Sequence, residues 1–318
     1  MEDVGFPGMV RYTALFIGIA LVGAFFLVSA LFLTGCASPN RVALASGHKQ
    51  DLTPAMGVVG LRQQEIGTSI NRSNISAATG GGLIFAMIDM GVNNSRAKKA
   101  ESSASSIRDA LIDYKPGDAL AKALTEKLNA DSPLSLEEIK VLQIKDASSI
   151  AQWVKENPAK TVVVLDVTYR LLPNFEGATV TVAASAHPCT GKMASLTTTR
   201  GRLPALCYYN VFSSTYRFPV SLMPIAEAGR LWSADGGEHA RELLNNAFGE
   251  IAEMISHDLQ IAAPGENALY KNTMHADVRN VAVPGGPEGI VVRGYIEKSL
   301  PGRAWIRCPR GELSAIPL

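Results

Sequence analysis

The chain has 318 residues, 47% of them hydrophobic, so it is long enough for one large or two modest domains with a hydrophobic core. Its 30 Lys and Arg residues nearly balance its 29 Asp and Glu residues, and no dense basic run is present. This composition excludes a generally basic nucleic-acid binder, so any partner is expected to be recognised locally.

The first predicted element is an uncharged segment from Tyr12 to Gly35 that is rich in Leu, Phe, Ile, Val and Ala. It has roughly the 20 residues that a helix needs to cross the hydrocarbon core of a bilayer. Arg11 stands directly before it, as in the basic start of a secretory signal. Translation from Met9 instead of Met1 would give a more typical signal, and the sequence leaves both starts open. Length and apolarity alone permit either a cleaved signal or an uncleaved single-span anchor.

The end of this segment, Leu33-Thr34-Gly35-Cys36, resembles the lipobox of bacterial lipoprotein precursors. The resemblance implies that the Cys36 thiol receives a diacylglyceryl group, that cleavage falls between Gly35 and Cys36, and that the new amino group is acylated. Two or three acyl chains, at ~0.8 kcal/mol per buried methylene, anchor a protein far more firmly than one. Ala37, not Asp, follows the cysteine, which resembles the outer-membrane class of these lipoproteins. The expected location is the cell envelope, facing the periplasm, on the outer more than the inner membrane.

The chain is predicted to divide into a signal, a tether, a main domain and a short tail. Residues 1–35 are the predicted signal peptide, and residues 36–54 are polar without periodicity, as expected for a tether. Residues 55–263 are predicted as a periplasmic α+β domain. Residues 277–318 are predicted as a C-terminal β-meander of three short strands, which must pack on the main domain or on a partner because it is too short for a core of its own.

A Gly-rich segment from Thr79 to Glu101 follows a predicted strand within residues 56–71. Its three glycines precede an apolar run, but the Lys-Ser/Thr of a P-loop and the Gly-x-Gly-x-x-Gly spacing are both missing, so nucleotide binding is set aside. The pattern predicts a buried or subunit-contacting helix, with peripheral membrane insertion as the alternative. Another helix is predicted over residues 103–113, and Asp118 is the expected N-cap of the next one.

The clearest strand pattern is "KTVVVLDVTYRLLP", which predicts a strand that is buried on both faces at its start and on one face at its end. Asp166 is the one carboxylate in this strand, and Arg170 on the same face is its expected partner. The segment "ATVTVAASAHP" completes a predicted hairpin. The buried face of the first strand is expected to carry Val163, Leu165, Val167, Tyr169 and Leu171.

A third strand, "CYYNVFSSTYRFP", places aromatic side chains at even positions, which favours a core face over a ligand platform. Residues 237–260 then predict a long amphipathic helix with Asp235 as its N-cap, lying across one face of the sheet. Within it, Glu253 and His257 are spaced for an exposed ion pair.

Export would place the remaining cysteines in an oxidising compartment. Cys189 and Cys207 lie at the two ends of one connection and are a candidate disulfide, which would contribute ~3 kcal/mol by the chain-entropy estimate. Two buried free thiols are the alternative. Cys308 is expected to be an inert packed thiol.

These elements predict the α+β class, with a mixed, largely antiparallel sheet, helices mainly on one face, and the small C-terminal β-meander. The order of elements over residues 63–260 is loosely similar to periplasmic α/β lipoproteins of the curli-secretion and penicillin-binding-protein-activator type. No motif carries that likeness, so no functional residue is transferred from those families.

No catalytic residue, cofactor motif or metal site is predicted, since the histidines are scattered and neither Cys-x-x-Cys nor His-Glu-x-x-His occurs. The expected function is that of a non-enzymatic lipoprotein that contacts a protein partner or forms a homo-oligomer. The alternative is a module that binds anionic cell-wall polymer or lipopolysaccharide through the acid-free connection that carries Lys192, Arg200 and Arg202.

Overall fold

The computed structural model of the protein describes residues 41–44, 55–70, 83–131, 134, 136–143, 152–153, 161–188, 206–218, 223–261, 279–282, 291–308 and 310–318. Their strands form one nine-stranded sheet in the order β2-β1-β3-β4-β5-β9-β8-β7-β6. The strands are β1 (Ala55–Leu61), β2 (Leu136–Gln143), β3 (Thr161–Leu171), β4 (Gly177–Pro188), β5 (Tyr208–Arg217), β6 (Arg279–Ala282), β7 (Val291–Leu300), β8 (Arg303–Arg307) and β9 (Leu313–Pro317).

The sheet is mixed. Strand β1 pairs in parallel with β2 and β3, and β5 pairs in parallel with β9, while the other neighbouring pairs are antiparallel. The predicted α+β class with a largely antiparallel sheet is therefore confirmed.

Four α-helices accompany this sheet within the described residues: α1 (Leu83–Ala110), α2 (Pro116–Asp131), α3 (Ile225–Ser233) and α4 (Glu238–Gln260). Helices α2 and α4 contact each other; α2 packs on β1 and β2, and α4 packs on β4 and β5. Short 3₁₀ turns at Pro173–Phe175 and Ala234–Gly237 precede β4 and α4.

Three helix boundaries differ from the sequence prediction. The two helices expected over residues 79–113 form one helix, α1, because no Gly or Pro break separates them. Helix α2 begins at Pro116; proline has no backbone N–H, and the first helical position needs none because it has no acceptor within the helix. Asp118 therefore falls in the first turn and not at the cap. Helix α4 begins after Gly237, whose φ of 78° suits glycine, and Asp235 lies outside the cap position.

The core lies between the sheet and its helices. Alternate residues of β3 face the core as predicted. The opposite face of β3 is buried at Val162 and Val164 and becomes exposed at Arg170. The cross-strand partners of the core-facing β3 residues, on β4 and β5, continue the core face, with Phe212 fully buried. The even positions of β5 thus supply core, as the aromatic pattern indicated.

The C-terminal meander is part of this sheet. Its final strand β9 pairs with β5, and the segment expected to be one strand turns at Gly311, whose φ is 96°, to give β8 and β9. The tail therefore supplies four strands where three were predicted, and it packs on the main sheet edge to edge.

Asp166 has a different partner from the one predicted. Nε of Arg62, just after β1, lies 2.8 Å and 2.7 Å from its two carboxylate oxygens. Arg170 is four residues away on the same strand, about 13 Å, whereas neighbouring strands are about 4.8 Å apart. A cross-strand arginine therefore reaches the carboxylate more easily.

Candidate functional site

The segment Arg41–Leu44, within the predicted tether, packs on the folded body. The amide of Val42 donates to the Tyr209 carbonyl oxygen at 2.8 Å, and the amide of Tyr209 donates back to Val42 at 2.9 Å. Arg41 and Leu44 are both buried. We call this end of the sheet, where β3 and β5 begin and β4 ends, the docked end, and the opposite end the far end.

Arg41 binds a fully buried carboxylate, Asp258, near the end of α4. Oδ2 of Asp258 accepts hydrogen bonds from Nε of Arg41 at 2.9 Å, from the Tyr208 hydroxyl at 2.9 Å and from the Asn210 amide at 3.1 Å. Its Oδ1 lies 2.8 Å from Nη1 of Arg307. Burial, reinforced by the charge of Asp258, raises the pKa of Tyr208 well above its ordinary value, so the hydroxyl stays a donor. One buried carboxylate thus holds two guanidinium groups.

A second carboxylate, Glu297 of β7, balances this charge. Nη2 of Arg307 donates to Oε1 of Glu297 at 2.7 Å, Nε of Arg307 donates to Oε2, and Nε2 of His257 lies 2.7 Å from Oε1. Burial raises the pKa of Glu297, but the hydrogen bonds from His257 and Arg307 outweigh burial and lower the pKa to about 2. We call Arg41, Asp258, Glu297 and Arg307 the Asp258 cluster; it holds two positive and two negative groups.

A similar arrangement surrounds Glu250, two turns earlier on α4. Nε of Arg303 donates to its Oε1 at 3.0 Å, the Trp305 indole donates to the same oxygen at 3.1 Å, and the Ser214 hydroxyl donates to Oε2 at 2.6 Å. The guanidinium carbon of Arg303 also lies 3.8 Å from the centre of the Tyr216 ring. The carboxylate is therefore occupied on both oxygens.

The two ion-pair sites share a spacing. Glu250 and Asp258 are eight residues apart on a helix, about 12 Å, and Arg303 and Arg307 are four residues apart on one face of a strand, about 13 Å. This match sets the register of β8 against α4. Because each buried charge has an opposite partner, the arrangement fits a structural role that holds the C-terminal strands to α4.

The predicted exposed pair between Glu253 and His257 is replaced by contacts to β7. Oε1 of Glu253 lies 2.8 Å from Nζ of Lys298, and His257 binds Glu297. Glu253 and His257 each contact a residue of β7, and these contacts across to the strand replace the weaker pair between the two side chains along the helix.

A cavity of about 260 Å³ lies at the far end, between the loop after β1 and the end of α1. Tyr169 and Tyr114 line it, and burial raises the pKa of Tyr169 to about 12. The charge of Arg108 in its wall is compensated by Glu65 at 3.2 Å and Glu101 at 2.8 Å. These contacts fix the wall but identify no ligand.

Most of the site residues predicted from the sequence lie outside the described residues: Gly35, Cys36, Cys189, Lys192, Arg200 and Arg202. Of the predicted disulfide pair, Cys207 is described, as a buried thiol 3.4 Å from the Ala186 carbonyl oxygen. Burial raises its pKa to about 11. Its pairing with Cys189 stays a prediction.

Two further findings concern only the described part of the chain. There, no helix is long and apolar enough to cross a membrane. Over the same residues, no group of three or more His, Cys, Asp or Glu side chains is placed to hold a metal ion.

The described residues define an α+β protein with a mixed nine-stranded sheet. No family model and no curated protein matches the sequence. Among solved structures, it is similar to a single-residue variant of the PelC dodecamer from Paraburkholderia phytofirmans, with 10% identity, 65% of this chain and 90% of that chain covered, and a TM-score of 0.25. A second PelC dodecamer from the same organism has 10% identity, covers 63% and 87%, and has a TM-score of 0.24. Both neighbours are dodecamers, but TM-scores this low carry no argument about this chain.

Proposed function

We propose that the protein is a lipid-anchored, non-enzymatic lipoprotein of the bacterial cell envelope, whose α+β body faces the periplasm as a protein-interaction or assembly factor. The observation that carries the proposal is the stretch Leu33-Thr34-Gly35-Cys36 at the end of an uncharged segment, followed at once by polar sequence. Ala37 after the cysteine favours the outer membrane over the inner one.

The arrangement of the body is compatible with a binding role. The buried carboxylates Glu250 and Asp258 are paired with Arg303 and Arg307 of the C-terminal strands. Their geometry supports a rigid platform, in which the charges hold the meander to α4.

A surface for a protein partner or a second copy is proposed on the first part of α1. Met87 and Met90 are each 59% exposed there, three residues apart on one side of the helix. This deepens the expectation of a subunit-contacting helix, and it separates this part of α1 from the later part, where Ala100, Ala104 and Ile107 are buried.

The experiment compares the protein with its Cys36→Ala variant in a bacterium that processes lipoproteins. Incorporation of labelled fatty acid into the native protein only, together with cross-linking recovery of one stoichiometric partner or of multiples of this chain, is the expected result. Fatty-acid labelling of both proteins, or of neither, would contradict the anchor. Recovery of the lipidated protein as an uncross-linked monomer would contradict the interaction role.

A second candidate function is binding of anionic cell-wall polymer or lipopolysaccharide through Lys192, Arg200 and Arg202. One observation favours it: β4 ends at Pro188 and β5 begins at Tyr208, so the basic connection leaves and re-enters the sheet at the docked end. Replacing the three cations with Gln should abolish salt-sensitive retention on immobilised polymer if this role is correct. Unchanged retention would exclude it.

A further inference from the structure

We infer that the docked end of the body lies against the lipid head groups of the membrane that holds Cys36, with the far end directed away from that membrane. The inference rests on the proposed lipid attachment at Cys36. It goes further by assigning an interaction surface and its partner, a phospholipid surface.

The first step is the number of residues between Cys36 and Arg41. Only four residues, 37–40, separate Cys36 from Arg41. Five residue-to-residue steps span at most ~18 Å when fully extended. A lipid-bearing Cys36 therefore keeps the docking point of Arg41 within about that distance of the head groups.

The second step is that this short chain ends at a firm attachment. Arg41 donates to the buried Asp258 carboxylate at 2.9 Å and, through Nη2, to the Asp258 carbonyl oxygen at 3.0 Å. Leu44 is 1% exposed, and two backbone hydrogen bonds join Val42 to Tyr209. Releasing the segment would leave the buried Asp258 carboxylate without one of its two guanidinium partners, so the segment stays attached and the chain between Cys36 and the body stays short.

The third step is the chemistry of the surface around this point. Val42 is 39% exposed and Leu206, just before β5, is 40% exposed. Arg310 is exposed, and its carbonyl oxygen accepts a hydrogen bond from the Arg41 amide at 3.3 Å, so this residue adds a cation next to the docked segment. Exposed apolar side chains next to an arginine suit the phosphate and acyl boundary of a phospholipid layer.

The fourth step is the distance to the far end. Tyr169 lies eight residues along β3 from Thr161, or roughly 26 Å, and it lines the same cavity as Ile112. Ile112 is 79% exposed. Because this distance exceeds the reach of the tether, a body standing on its docked end carries Ile112 and the cavity away from the membrane.

The test uses the lipidated full chain in vesicles of phosphatidylethanolamine and phosphatidylglycerol that contain a lipid with a nitroxide on its head group. A fluorescent amino acid replaces Leu206 in one protein and Ile112 in the other, both exposed positions. Several-fold stronger nitroxide quenching at position 206 than at position 112 is expected. Equal quenching, as from a body lying on its side or tumbling freely, would overturn the inference, as would stronger quenching at 112. Val42 serves as a second docked-end position if the Leu206 replacement alters the unfolding midpoint.

A linker variant isolates the cause of the orientation. A Gly-Ser insertion of roughly 20 residues between Asn40 and Arg41 leaves the docking contacts in place and adds an r.m.s. reach of about 25 Å. If the short tether orients the body, this variant should lose most of the quenching difference; an undiminished difference would show that the tether does not set it. The mass of the Cys36 peptide is measured in the same samples. An unlipidated Cys36 would overturn the proposed function and this inference together, whereas a lipidated Cys36 with equal quenching would overturn only the inference.

Discussion

Replacing Asp258 with Asn probes the attachment between the amino-terminal segment and the body. The substitution keeps the shape of the side chain but removes its negative charge. Two guanidinium groups, those of Arg41 and Arg307, then share a buried site in which Glu297 is the one remaining carboxylate of the Asp258 cluster. A buried charge without its partner is strongly unfavourable, whereas an intact pair is close to neutral relative to an apolar core.

The expected loss is therefore that of breaking a fully buried pair, about 3–5 kcal/mol in the free energy of unfolding. The matched variant Arg41→Gln removes the other partner, but Asp258 keeps Arg307 at 2.8 Å. The free energy of unfolding of Arg41→Gln should fall by about as much as a hydrogen bond to a charged group contributes, about 1.5–3 kcal/mol. The carboxylate is thus predicted to matter more than the arginine it holds.

Urea unfolding of the purified proteins in mild detergent measures both losses, with the slope of the transition as a check on two-state behaviour. The Arg62→Gln variant is the control, since Arg62 forms an exposed ion pair with Asp166 and such surface pairs contribute about 1 kcal/mol or less. A loss below about 1 kcal/mol for Asp258→Asn, or a larger loss for Arg41→Gln, would refute the reasoning.

Three further predictions concern two helix glycines, the Glu297 carboxylate and the cysteine pair proposed from the sequence. Gly229→Ala should destabilise the protein, because a Cβ there would lie 2.9 Å from a backbone oxygen of α1. Gly249→Ala in α4, where a Cβ would meet no atom within 4 Å, should instead stabilise it by about 0.5–1 kcal/mol because alanine favours the helix. Thermal unfolding of the two variants measures both effects. The fold lowers the pKa of Glu297 from its ordinary 4.5 to about 2, so the stabilisation from its charge is complete above pH 4.5 and is lost as pH falls toward 2. Glu297→Gln should therefore reduce the fall in the free energy of unfolding between pH 4.5 and 2. An unchanged fall would contradict this. Mass mapping after denaturation without reduction should find Cys189 and Cys207 linked, and alkylation of both would exclude the disulfide.

The alternation of the strands was readable from the sequence because burial on one face imposes a period of two. In β3, the predicted face of Val163 to Leu171 is the buried face, and Thr168 and Arg170 on the other side are more exposed. The stripe of α4 was equally clear, since Leu244, Phe248 and Ile251 are fully buried. Local periodicity therefore sufficed for the class of the fold and for its main helix.

The Asp258 cluster could not be predicted in the same way, because its members come from three distant parts of the chain. The sequence held two weak signals of it. Asp258 follows Met254 and Ile255 at helical spacing and so continues the apolar stripe of α4. Arg303 and Arg307 flank the buried Trp305 on one face of β8. Charges on apolar faces indicate buried pairs, but their partners depend on the parallel contact between β5 and β9, which no local pattern specifies. Arg41 carried no periodic signal at all.

The most direct test of the account is the mass of the amino-terminal peptide of the protein purified from membranes. The account predicts a peptide that begins at Cys36 and carries a diacylglyceryl group, with further acylation on its amino group, and no such peptide from the Cys36→Ala variant. A native protein whose amino terminus lies before Tyr12 and whose Cys36 is an unmodified thiol would contradict the central claim.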